Sequence, residues 1–420
     1  MDWNSQQSAA LTKATRWFRS YCANPQTTPQ VFRLFGFAGT GKSTLADTIN
    51  QDCTNGQAKF MTPTAKSASV LRSKGALNAD TAHSQIYTPK EKSRQRLRDL
   101  EAYLAKARAD ANRVRSGEPT PENKRKFAMF NEAIEKLQVQ IKEEQTKLSR
   151  PNWSVNPDAD VKNFPLFILD EASMFGKTIG ADLESFGVPI LVLGDPAQLP
   201  PVGEAGYFTN CEPDVMLTDI RRQALNNPII YLSKTVREGG VLKPGNYGSS
   251  RIIPRSSLTP EIVTGCDQLL VGRNATRRSS NNRIRQLAGH ESAFPVKGER
   301  LVCLRNNREL GIYNGVTYIA SEDAVDSGDN VTMWIEEEGA NASYVVGAHR
   351  AIFLNEELPW YEKKDHEEFD YGYALTVHKS QGSQWPTTTL FDEWNMPDSR
   401  RQWLYTGITR AAESVTCVQF

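Results

Sequence analysis

The sequence contains a glycine-rich turn between an apolar run and a helix start, and this turn is a candidate binding site. Within "VFRLFGFAGTGKSTL" (31–45), Gly36, Gly41, Lys42 and Ser43 match the spacing G-x-x-x-x-G-K-[ST]. Glycines let backbone N–H groups surround phosphate oxygens, the helix start favours negative charge, and the lysine reaches the outer phosphates. The serine hydroxyl suits Mg²⁺, so the stretch predicts an ATP and Mg²⁺ site. Further loop residues expected to contact the nucleotide are Gly39, Thr40 and Thr44.

Two adjacent carboxylates follow a second apolar run, in "FPLFILDEASM" (164–174). Asp170 is expected to hold Mg²⁺, and Glu171 to orient and deprotonate an attacking water. The pair would alternatively cap the next helix, an interpretation that would be favoured if the phosphate loop were absent. Because Lys42 is present, we interpret the pair as catalytic.

A third strand, in "VPILVLGDPAQLPPV" (188–202), ends in a loop where Gln198 precedes Pro200 and Pro201. An amide beside the γ-phosphate can respond to its presence, and prolines stiffen the segment that transmits the response. By itself the loop is an ordinary turn. As the third loop at one edge of a parallel sheet, it predicts a catalytic sensor role for Gln198.

The bulk composition bounds the class of protein. The 420 residues exceed the size of one core, so two or more domains are expected, and 39% hydrophobic with 24% charged residues fits a soluble globular protein. No apolar run approaches the roughly 20 residues of a membrane span, and "MDWNSQQSAALTKATRWF" lacks a signal-peptide core. We expect no membrane association and a cytoplasmic location. Six scattered cysteines predict reduced thiols rather than zinc or disulfides.

Further short motifs follow in order along the chain: "WNSQQSAA" (3–10), "TPTAKSASVL" (62–71), "TAHS" (81–84), "LTDIRRQ" (217–223), "YALTVHKSQGSQW" (373–385) and "YTGITRAAE" (405–413). Each is weak alone. Together with the three loops above, they resemble the superfamily 1 helicases, most closely the Dda-type and RecD-like branch, superfamily 1B. The resemblance covers nearly the whole chain apart from the stretch around residues 90–150.

The resemblance implies roles residue by residue. Gln7 is expected to contact adenine, and Gly382 to contact the nucleotide. Arg222 and Arg410 are expected to reach the γ-phosphate from a second domain, where they would stabilise charge during phosphoryl transfer. Arg221 competes with Arg222 for this role, and a surface ion pair is the alternative for either arginine. Contacts to single-stranded nucleic acid are implied for Thr64, Lys66, His83, Ser84, Pro200, Thr376, His378 and Ser380.

Three side chains have a plain structural alternative. Histidines such as His83 more often serve structural roles, and only the surrounding motif favours a nucleic-acid contact. Trp385 and Phe37 would suit stacking on bases, but we expect both to pack against the protein. Hydroxyls, lysine and histidine in short loops suit a phosphate backbone that is gripped without reading sequence.

Strands separated by helical stretches predict an α/β fold with two RecA-like parallel-sheet motor domains. Short β-rich runs interrupt the second domain and resemble the family's SH3-like β-barrel, with a β appendage as the alternative. The Gly/Ser/Pro-rich residues 238–257 predict a surface loop. The expected boundaries are 1–89 and 155–204 for the first motor domain, 90–154 for its helical-hairpin insert, 205–294 and 366–420 for the second motor domain, and 295–365 for the SH3-like insert.

Two apolar series predict that residues 90–154 contain an antiparallel two-helix hairpin, a short coiled coil closed by "SGEPTP" (116–121). Helices of about 25 residues would extend about 35–40 Å. Residues 90–150 contain 16 basic and 10 acidic residues, net +6, whereas the remainder has 34 basic and 39 acidic, net −5. The series are Leu97, Leu100, Leu104, Ala107, Ala111 and Val114, and Phe127, Phe130, Ile134, Leu137, Ile141 and Leu148, interrupted by Glu144.

Dda-like enzymes have a small β-hairpin at this position, which separates the strands of a duplex. Because this sequence instead predicts two long helices, that role cannot be assigned to particular residues here. Three roles stay open for the 90–150 arm: guiding duplex DNA, docking a protein partner, or forming a solvated structural insert.

The resemblance implies an ATP- and Mg²⁺-dependent helicase that moves on single-stranded DNA, 5′→3′, in phage-type replication or recombination. One alternative is a translocase that displaces proteins or remodels RNA, and another is a nucleic-acid-stimulated ATPase that loads or assembles partners. Sequence does not decide between DNA and RNA, because such a motor grips the backbone. A monomer is expected.

Overall fold

The structure, a computed structural model, describes residues 3–89, 95–118, 120–149, 153–201, 203–219, 227–307, 309–338, 342–354, 356 and 366–420. The chain divides into two compact units. Tyr87–Asn156 form the smaller unit, close to the predicted insert at 90–154, and Met1–Ile86 with Pro157–Phe420 form the larger one.

Helices and strands alternate through most of the larger unit. The described helices are α1 Ser5–Ala23, α2 Lys42–Thr54, α3 Ala65–Ser73, α4 Ala82–Ile86, α5 Gln95–Arg115, α6 Pro121–Ser149, α7 Lys177–Glu184, α8 Pro228–Arg237, α9 Pro260–Thr264, α10 Asn274–Leu287, α11 Arg350–Phe353 and α12 Pro397–Ile408. None of these described helices is both long and apolar enough to cross a membrane.

The strands fall into the sheets described below. They are β1 Val31–Gly36, β2 Lys59–Thr62, β3 Asp80–Thr81, β4 Tyr87–Pro89, β5 Trp153–Val155, β6 Phe167–Leu169, β7 Ile190–Gly194, β8 Val215–Leu217, β9 Gly245–Tyr247, β10 Ser250–Pro254, β11 Gln268–Val271, β12 Arg300–Cys303, β13 Thr317–Ala320, β14 Val325–Asp326, β15 Asn330–Glu337, β16 Ser343–His349, β17 Phe369–Tyr371, β18 Ala374–Thr376, β19 Trp385–Asp392 and β20 Ala411–Gln419.

The first sheet is parallel throughout, in the order β3-β2-β6-β7-β1-β8. Its central strands are apolar along their length, and Ile168, Leu191 and Leu34 are fully buried, as expected when helices cover a parallel sheet. Parallel strands end at one edge, so the loops after β1, β2, β6 and β7 meet there. β8 belongs to this sheet, which therefore continues past residue 204, the predicted end of the first motor domain.

The second sheet has the order β18-β11-β19-β20-β10-β9, parallel except for the β9–β10 pair. The prediction of a surface loop at 238–257 was wrong, because β9 and β10 lie in this stretch. β10 pairs with β20, and Ile252 is 1% exposed in the core of the sheet. Flanking Gly, Ser and Pro residues concealed a strand that pairs with residues far along the chain.

A third sheet is antiparallel, in the order β14-β15-β13-β12-β17, with β16 beside β15. Its buried core includes Tyr318, Ile335 and Phe369. β17 pairs with β12, so this sheet extends beyond residue 365, the predicted end of the insert. Its assignment as an SH3-like barrel stays a prediction.

The smaller unit is a helical hairpin, α5 and α6, with a two-stranded β4–β5 ladder at its base. The prediction of two helices joined near 116–121 is confirmed. The described residues of the two predicted apolar series are half-buried or buried, and Ala111 and Ile141 are the buried ones. Glu144, the polar interruption, lies 3.7 Å from Arg96 on the other helix.

Candidate nucleotide and nucleic-acid site

The phosphate loop connects β1 to α2 at the carboxyl edge of the first sheet. Gly36 ends β1 and Lys42 begins α2, with Ser43 and Thr44 in its first turn. Gly41 has φ 85°, a left-handed conformation that only glycine adopts readily. Gly39 (φ 79°) and Thr40 lie between these ends. The Lys42 Nζ donates to the carbonyls of Gly36 at 2.6 Å and Phe37 at 3.1 Å, within the loop itself.

Gln7 contacts the phosphate loop through a buried hydrogen bond. Its side chain is 2% exposed, and its Nε2 donates to the Thr40 carbonyl at 2.9 Å. Its Oε1 accepts from the Asn4 backbone N at 3.2 Å, because Asn4 and Gln7 form the capping box of α1. Both ends of the amide thus hold protein groups, and the adenine contact of Gln7 stays a prediction.

Asp170 and Glu171 follow β6 at the same edge. The Asp170 Oδ1 accepts from the Glu171 backbone N at 2.8 Å, and Glu171 has φ 53°, which is unusual for a residue with a side chain. Burial, with a smaller contribution from Glu171, raises the pKa of Asp170 to about 6, although Lys42 opposes the shift. A buried carboxylate in this setting is stabilised by a cation.

Ser43, Asp47 and Asp170 line one small cavity. Their hard oxygen donors fit Mg²⁺, which takes one or two carboxylates and completes its coordination with water and phosphate oxygens. Within the described residues, no three His, Cys, Asp or Glu side chains cluster as a metal cage. The donor set therefore fits a metal that is shared with a nucleotide.

The loop after β7 is the predicted sensor. The Asp195 Oδ1 accepts from the Ala197 N at 3.0 Å, and the Gln198 N donates to the Asp195 carbonyl at 3.1 Å. The Gln198 Oε1 is buried and has no hydrogen-bond partner among the residues that the structure describes. An unpartnered buried amide oxygen is costly unless a ligand or water supplies a donor, which agrees with a role at a ligand.

Helix α12, which packs against the second sheet, contacts both the sensor loop and the phosphate loop through one hydroxyl. The Tyr405 Oη donates to the Asp195 Oδ2 at 2.7 Å and accepts from the Ala38 N of the phosphate loop at 3.0 Å. Burial raises the pKa values of Asp195 and Tyr405. Neither residue was predicted as functional from the sequence, although Asp195 lies in the stretch 188–202 and Tyr405 in the motif 405–413.

Two further hydrogen bonds join the sensor loop to the second sheet. The Leu199 N donates to the Thr406 Oγ1 at 3.0 Å, and the Gln381 Nε2 donates to the Leu199 carbonyl at 2.8 Å. Pro200, predicted to contact nucleic acid, follows directly and is half-buried. The sensor loop is thus attached to α12 and to the loop after β18.

Arg237, at the end of α8, covers the phosphate loop. Its guanidinium carbon lies 3.6 Å from the centre of the Phe37 ring, a close cation–π contact. Trp385 is 8% exposed and belongs to the core of the second sheet. The prediction that Phe37 and Trp385 pack against the protein is confirmed.

Of the two arginines predicted to contact the γ-phosphate, the structure describes only Arg410. Arg222, like its competitor Arg221, lies outside the described residues. Arg410 is 5% exposed, and its guanidinium donates to the Thr406 and Ser383 carbonyls, each at 3.1 Å. Arg410 therefore contacts its own domain, and its contact with the γ-phosphate stays a prediction.

Gly382 lies on the predicted nucleic-acid side. It has φ 74°, and a Cβ built on it would stand 1.9 Å from the Ser67 Oγ and 3.2 Å from the Thr64 Oγ1. Thr64 caps α3, since its Oγ1 accepts from the Ser67 N at 3.2 Å. The structure thus places Gly382 against a motif that was predicted to contact nucleic acid, and its own predicted nucleotide contact stays a prediction.

The loop after β18 uses two of its predicted contact residues internally. The Ser380 Oγ is fully buried and donates to the Val377 carbonyl at 2.8 Å, and the Thr376 Oγ1 accepts from the Lys379 N at 3.3 Å. Both hydroxyls thus form hydrogen bonds within the turn, and their contacts with nucleic acid stay predictions. His378 lies beside Trp394, with ring centres 5.2 Å apart, and burial lowers its pKa.

The remaining predicted contacts lie on α3 and α4. Burial lowers the pKa of Lys66, against the opposing effect of Glu338 and Glu337 in the third sheet. His83 and Ser84 lie on α4, which follows β3 directly. The Ser84 Oγ donates to the Thr81 carbonyl at 2.7 Å, so it closes the first turn of that short helix.

Two family models match separate parts of the chain. The AAA domain family model matches residues 19–247, and the UvrD-like helicase C-terminal domain model matches residues 371–418. The ATP-dependent RecD2 DNA helicase of Deinococcus radiodurans is 27% identical over 284 residues, which are 60% of this chain and 36% of that protein. The chain thus spans little more than a third of that relative's length.

One solved structure of low sequence identity shares the fold. A structure described as the structural basis for DNA unwinding at forked dsDNA by two coordinating Pif1 helicases has a TM-score of 0.51 and 15% identity, covering 99% of this chain and 92% of that one. The Pif1 helicase from Candida albicans has a TM-score of 0.48 and 15% identity, covering 99% and 94%. With the AAA domain match over more than half of its length, the chain belongs to the AAA domain family.

Proposed function

We propose that this chain is an ATP- and Mg²⁺-dependent DNA helicase that moves 5′→3′ along single-stranded DNA. The observation that carries the proposal is the direct attachment of the second sheet to the phosphate loop, through the Tyr405 Oη and the Ala38 N, 3.0 Å apart. A nucleotide on that loop would change contacts to both sheets together. Coupled closure and opening of two domains that each grip a strand produces stepping.

The proposed chemistry uses groups that meet at the carboxyl edge of the first sheet. Lys42, which now donates to loop carbonyls, would donate to phosphate oxygens. Glu171 would orient and deprotonate the attacking water, and Gln198 would offer its unpartnered amide oxygen to that water. Mg²⁺, when bound, would be held by Ser43 and Asp170 and would neutralise charge on the phosphates.

Arg222 and Arg410 complete the proposal as γ-phosphate contacts from the second domain. The guanidinium of Arg410 would exchange its carbonyl partners for phosphate oxygens as the domains close. We expect Arg410→Lys to lose most ATPase activity, since an ammonium cannot reproduce the planar, many-donor geometry of a guanidinium. A thermal melt checks that this variant still folds.

DNA as the substrate rests on the resemblance to a relative named as a DNA helicase and on the motif order. Thr64, Lys66 and His83 are the proposed contacts on the first domain, and His378 is the one on the second. Burial keeps the pKa of His378 low, so a neutral ring would contact the strand. A place in phage-type replication or recombination, a cytoplasmic location and a monomeric state are part of the same proposal.

Strand displacement from a 5′-tailed and a 3′-tailed duplex tests this function. We expect unwinding of the 5′-tailed duplex only, and loss of at least about a hundredfold in ATPase rate for Lys42→Ala and Glu171→Gln. Lys13→Ala, on the exposed side of α1, is the matched control and should behave as the parent. DNA-stimulated ATPase without unwinding of either substrate would favour a translocase or a loading factor instead.

A further inference from the structure

The positive charge of the hairpin is concentrated at its far end. We define the distal part as residues 106–126: the end of α5, the connecting turn and the start of α6. It contains seven basic and three acidic residues, net +4. The rest of the two helices, 95–105 and 127–149, contains five basic and six acidic residues, net −1. Along the two helices the net positive charge therefore lies in the distal part, while residues 90–94 and 150, which precede and follow the two helices in the chain, carry a further net +3.

The basic side chains of the distal part are all exposed. Arg113 lies 3.7 Å from Asp110, and Lys126 lies 2.7 Å from Glu122. The other five form no ion pair with any residue that the structure describes: Lys106, Arg108, Arg115, Lys124 and Arg125. Nearer the base, by contrast, Lys136 pairs with Glu132 at 2.7 Å and Arg96 with Glu144 at 3.7 Å.

These unpaired cations do not hold the hairpin together. The helices meet along the apolar seam, where Ala111 and Ile141 are buried, and the cations lie off that seam. Several like charges at one end of a small element repel one another, which weakly opposes folding. Their concentration therefore points to an anionic partner outside the chain.

The composition of the distal part identifies the partner. Residues 106–126 contain no Phe, Tyr or Trp, whereas surfaces that bind single strands usually stack bases on aromatic side chains. Duplex nucleic acid hides its bases and presents about one phosphate charge per 1.7 Å of axis. The last ten residues of α5 span about 15 Å, enough to face several phosphates.

We propose that the distal part of the hairpin binds the phosphate backbone of duplex nucleic acid, without reading its sequence. The inference rests on the proposed function only in that the substrate contains a duplex. Binding at this surface requires neither Lys42 nor Glu171, and it is measurable without ATP. An acidic protein would match the same charge, and it is the competing partner that the test separates.

Matched charge-neutralising variants of the full chain test the proposal. The distal variant combines Arg108→Gln, Arg115→Gln, Lys124→Gln and Arg125→Gln, and the base variant combines Arg96→Gln, Arg98→Gln, Lys136→Gln and Lys142→Gln. Glutamine has nearly the same helix propensity as lysine and arginine, so both hairpins should fold. Circular dichroism and a thermal melt check this.

The readout is the affinity for a short blunt duplex and for an oligothymidylate, without ATP, from about 50 to about 200 mM salt. We expect the distal variant to bind the duplex at least about tenfold more weakly, with its log–log salt slope reduced by about three. The distal variant should bind the oligothymidylate as tightly as the parent does. The base variant should bind the duplex as tightly as the parent does.

Three results would overturn the proposal: parental duplex affinity and salt slope in the distal variant, an equal loss in the base variant, or an equal loss on the single strand. The first would favour an acidic protein as the partner. A chain that lacks helicase activity but shows the distal effect would overturn the proposed function alone.

Discussion

The Tyr405 hydroxyl lies 2.7 Å from the Asp195 Oδ2 and 3.0 Å from the Ala38 N, so one side chain of the second sheet joins two loops of the first. Asp195 is 4% exposed, and this hydroxyl is one of its donors, beside the Ala197 N. A buried polar atom that loses its hydrogen-bond partner without a replacement costs about 1–3 kcal/mol. The link is therefore both a stabilising contact and a mechanical connection to the phosphate loop.

We expect Tyr405→Phe to lower the free energy of unfolding by about 2 kcal/mol, because the buried Asp195 Oδ2 loses its donor and the Ala38 N loses its acceptor. It should also reduce the stimulation of ATPase by DNA more than the basal rate. Chemical denaturation and ATPase assays check these effects. Tyr103→Phe, at an exposed position on α5, is the control. Parental stability and stimulation in Tyr405→Phe would show that the hydroxyl does not couple the sheets.

Asp170 makes stability depend on pH in the absence of metal. Its pKa is raised from 3.8 to about 6, chiefly by burial, so the folded chain binds a proton that the unfolded chain has released. Stability contributed by protonated Asp170 is therefore lost as pH rises from about 4 to about 6. We expect Asp170→Asn to be more stable than the parent at pH 7.5, by up to about 3 kcal/mol, and less so at pH 4.5.

Denaturation in chelator at both pH values measures this difference. Asp329→Asn, at an exposed position, should show no such pH-dependent gain. A stability difference between Asp170→Asn and the parent that is the same at pH 4.5 and pH 7.5 would contradict the assignment. Saturating Mg²⁺ with nucleotide should stabilise the parent more than the variant, which keeps the phosphate loop but lacks the carboxylate proposed to hold Mg²⁺.

Gly382 permits the close approach of the two sheets. We expect Gly382→Ala to destabilise the chain by about 2 kcal/mol or more, from its φ of 74° and from the Ser67 Oγ, which a Cβ would meet at 1.9 Å. Gly187→Ala has a similar φ of 68° and open space, so it should show the backbone cost alone. Adding Ser67→Ala should recover part of the loss in Gly382→Ala. Additive effects would exclude the contact.

The hairpin is a separate compact unit, so the motor should work without it. Replacing residues 94–148 by a short Gly/Ser loop should leave ATPase stimulated by single strands within about twofold of the parent, since the removed seam residues pack mainly on one another. Binding to duplex-containing substrates should weaken. Loss of ATPase in a variant that still melts cooperatively would show that the hairpin supports the motor.

Local patterns determined the parts of this protein whose geometry depends on near neighbours in the chain. The phosphate loop needs glycine and lysine at fixed spacing, and the hairpin needs apolar residues every three or four positions, so each could be recognised from one short stretch. The carboxylates after β6 were predicted because they follow an apolar run in a chain that also has the phosphate loop with Lys42.

Tertiary structure alone decided which loops touch. Tyr405 contacts Asp195, Gly382 contacts Ser67, and the amide of Gln7 holds Thr40. Arg410 and Ser380 are buried in their own domain, although the sequence predicted contacts with a nucleotide and with nucleic acid for them. Such pairs join residues far apart in the chain, and their distances follow from how whole sheets and helices pack. No periodicity or spacing within a short stretch encodes that packing, so only the folded chain reveals it.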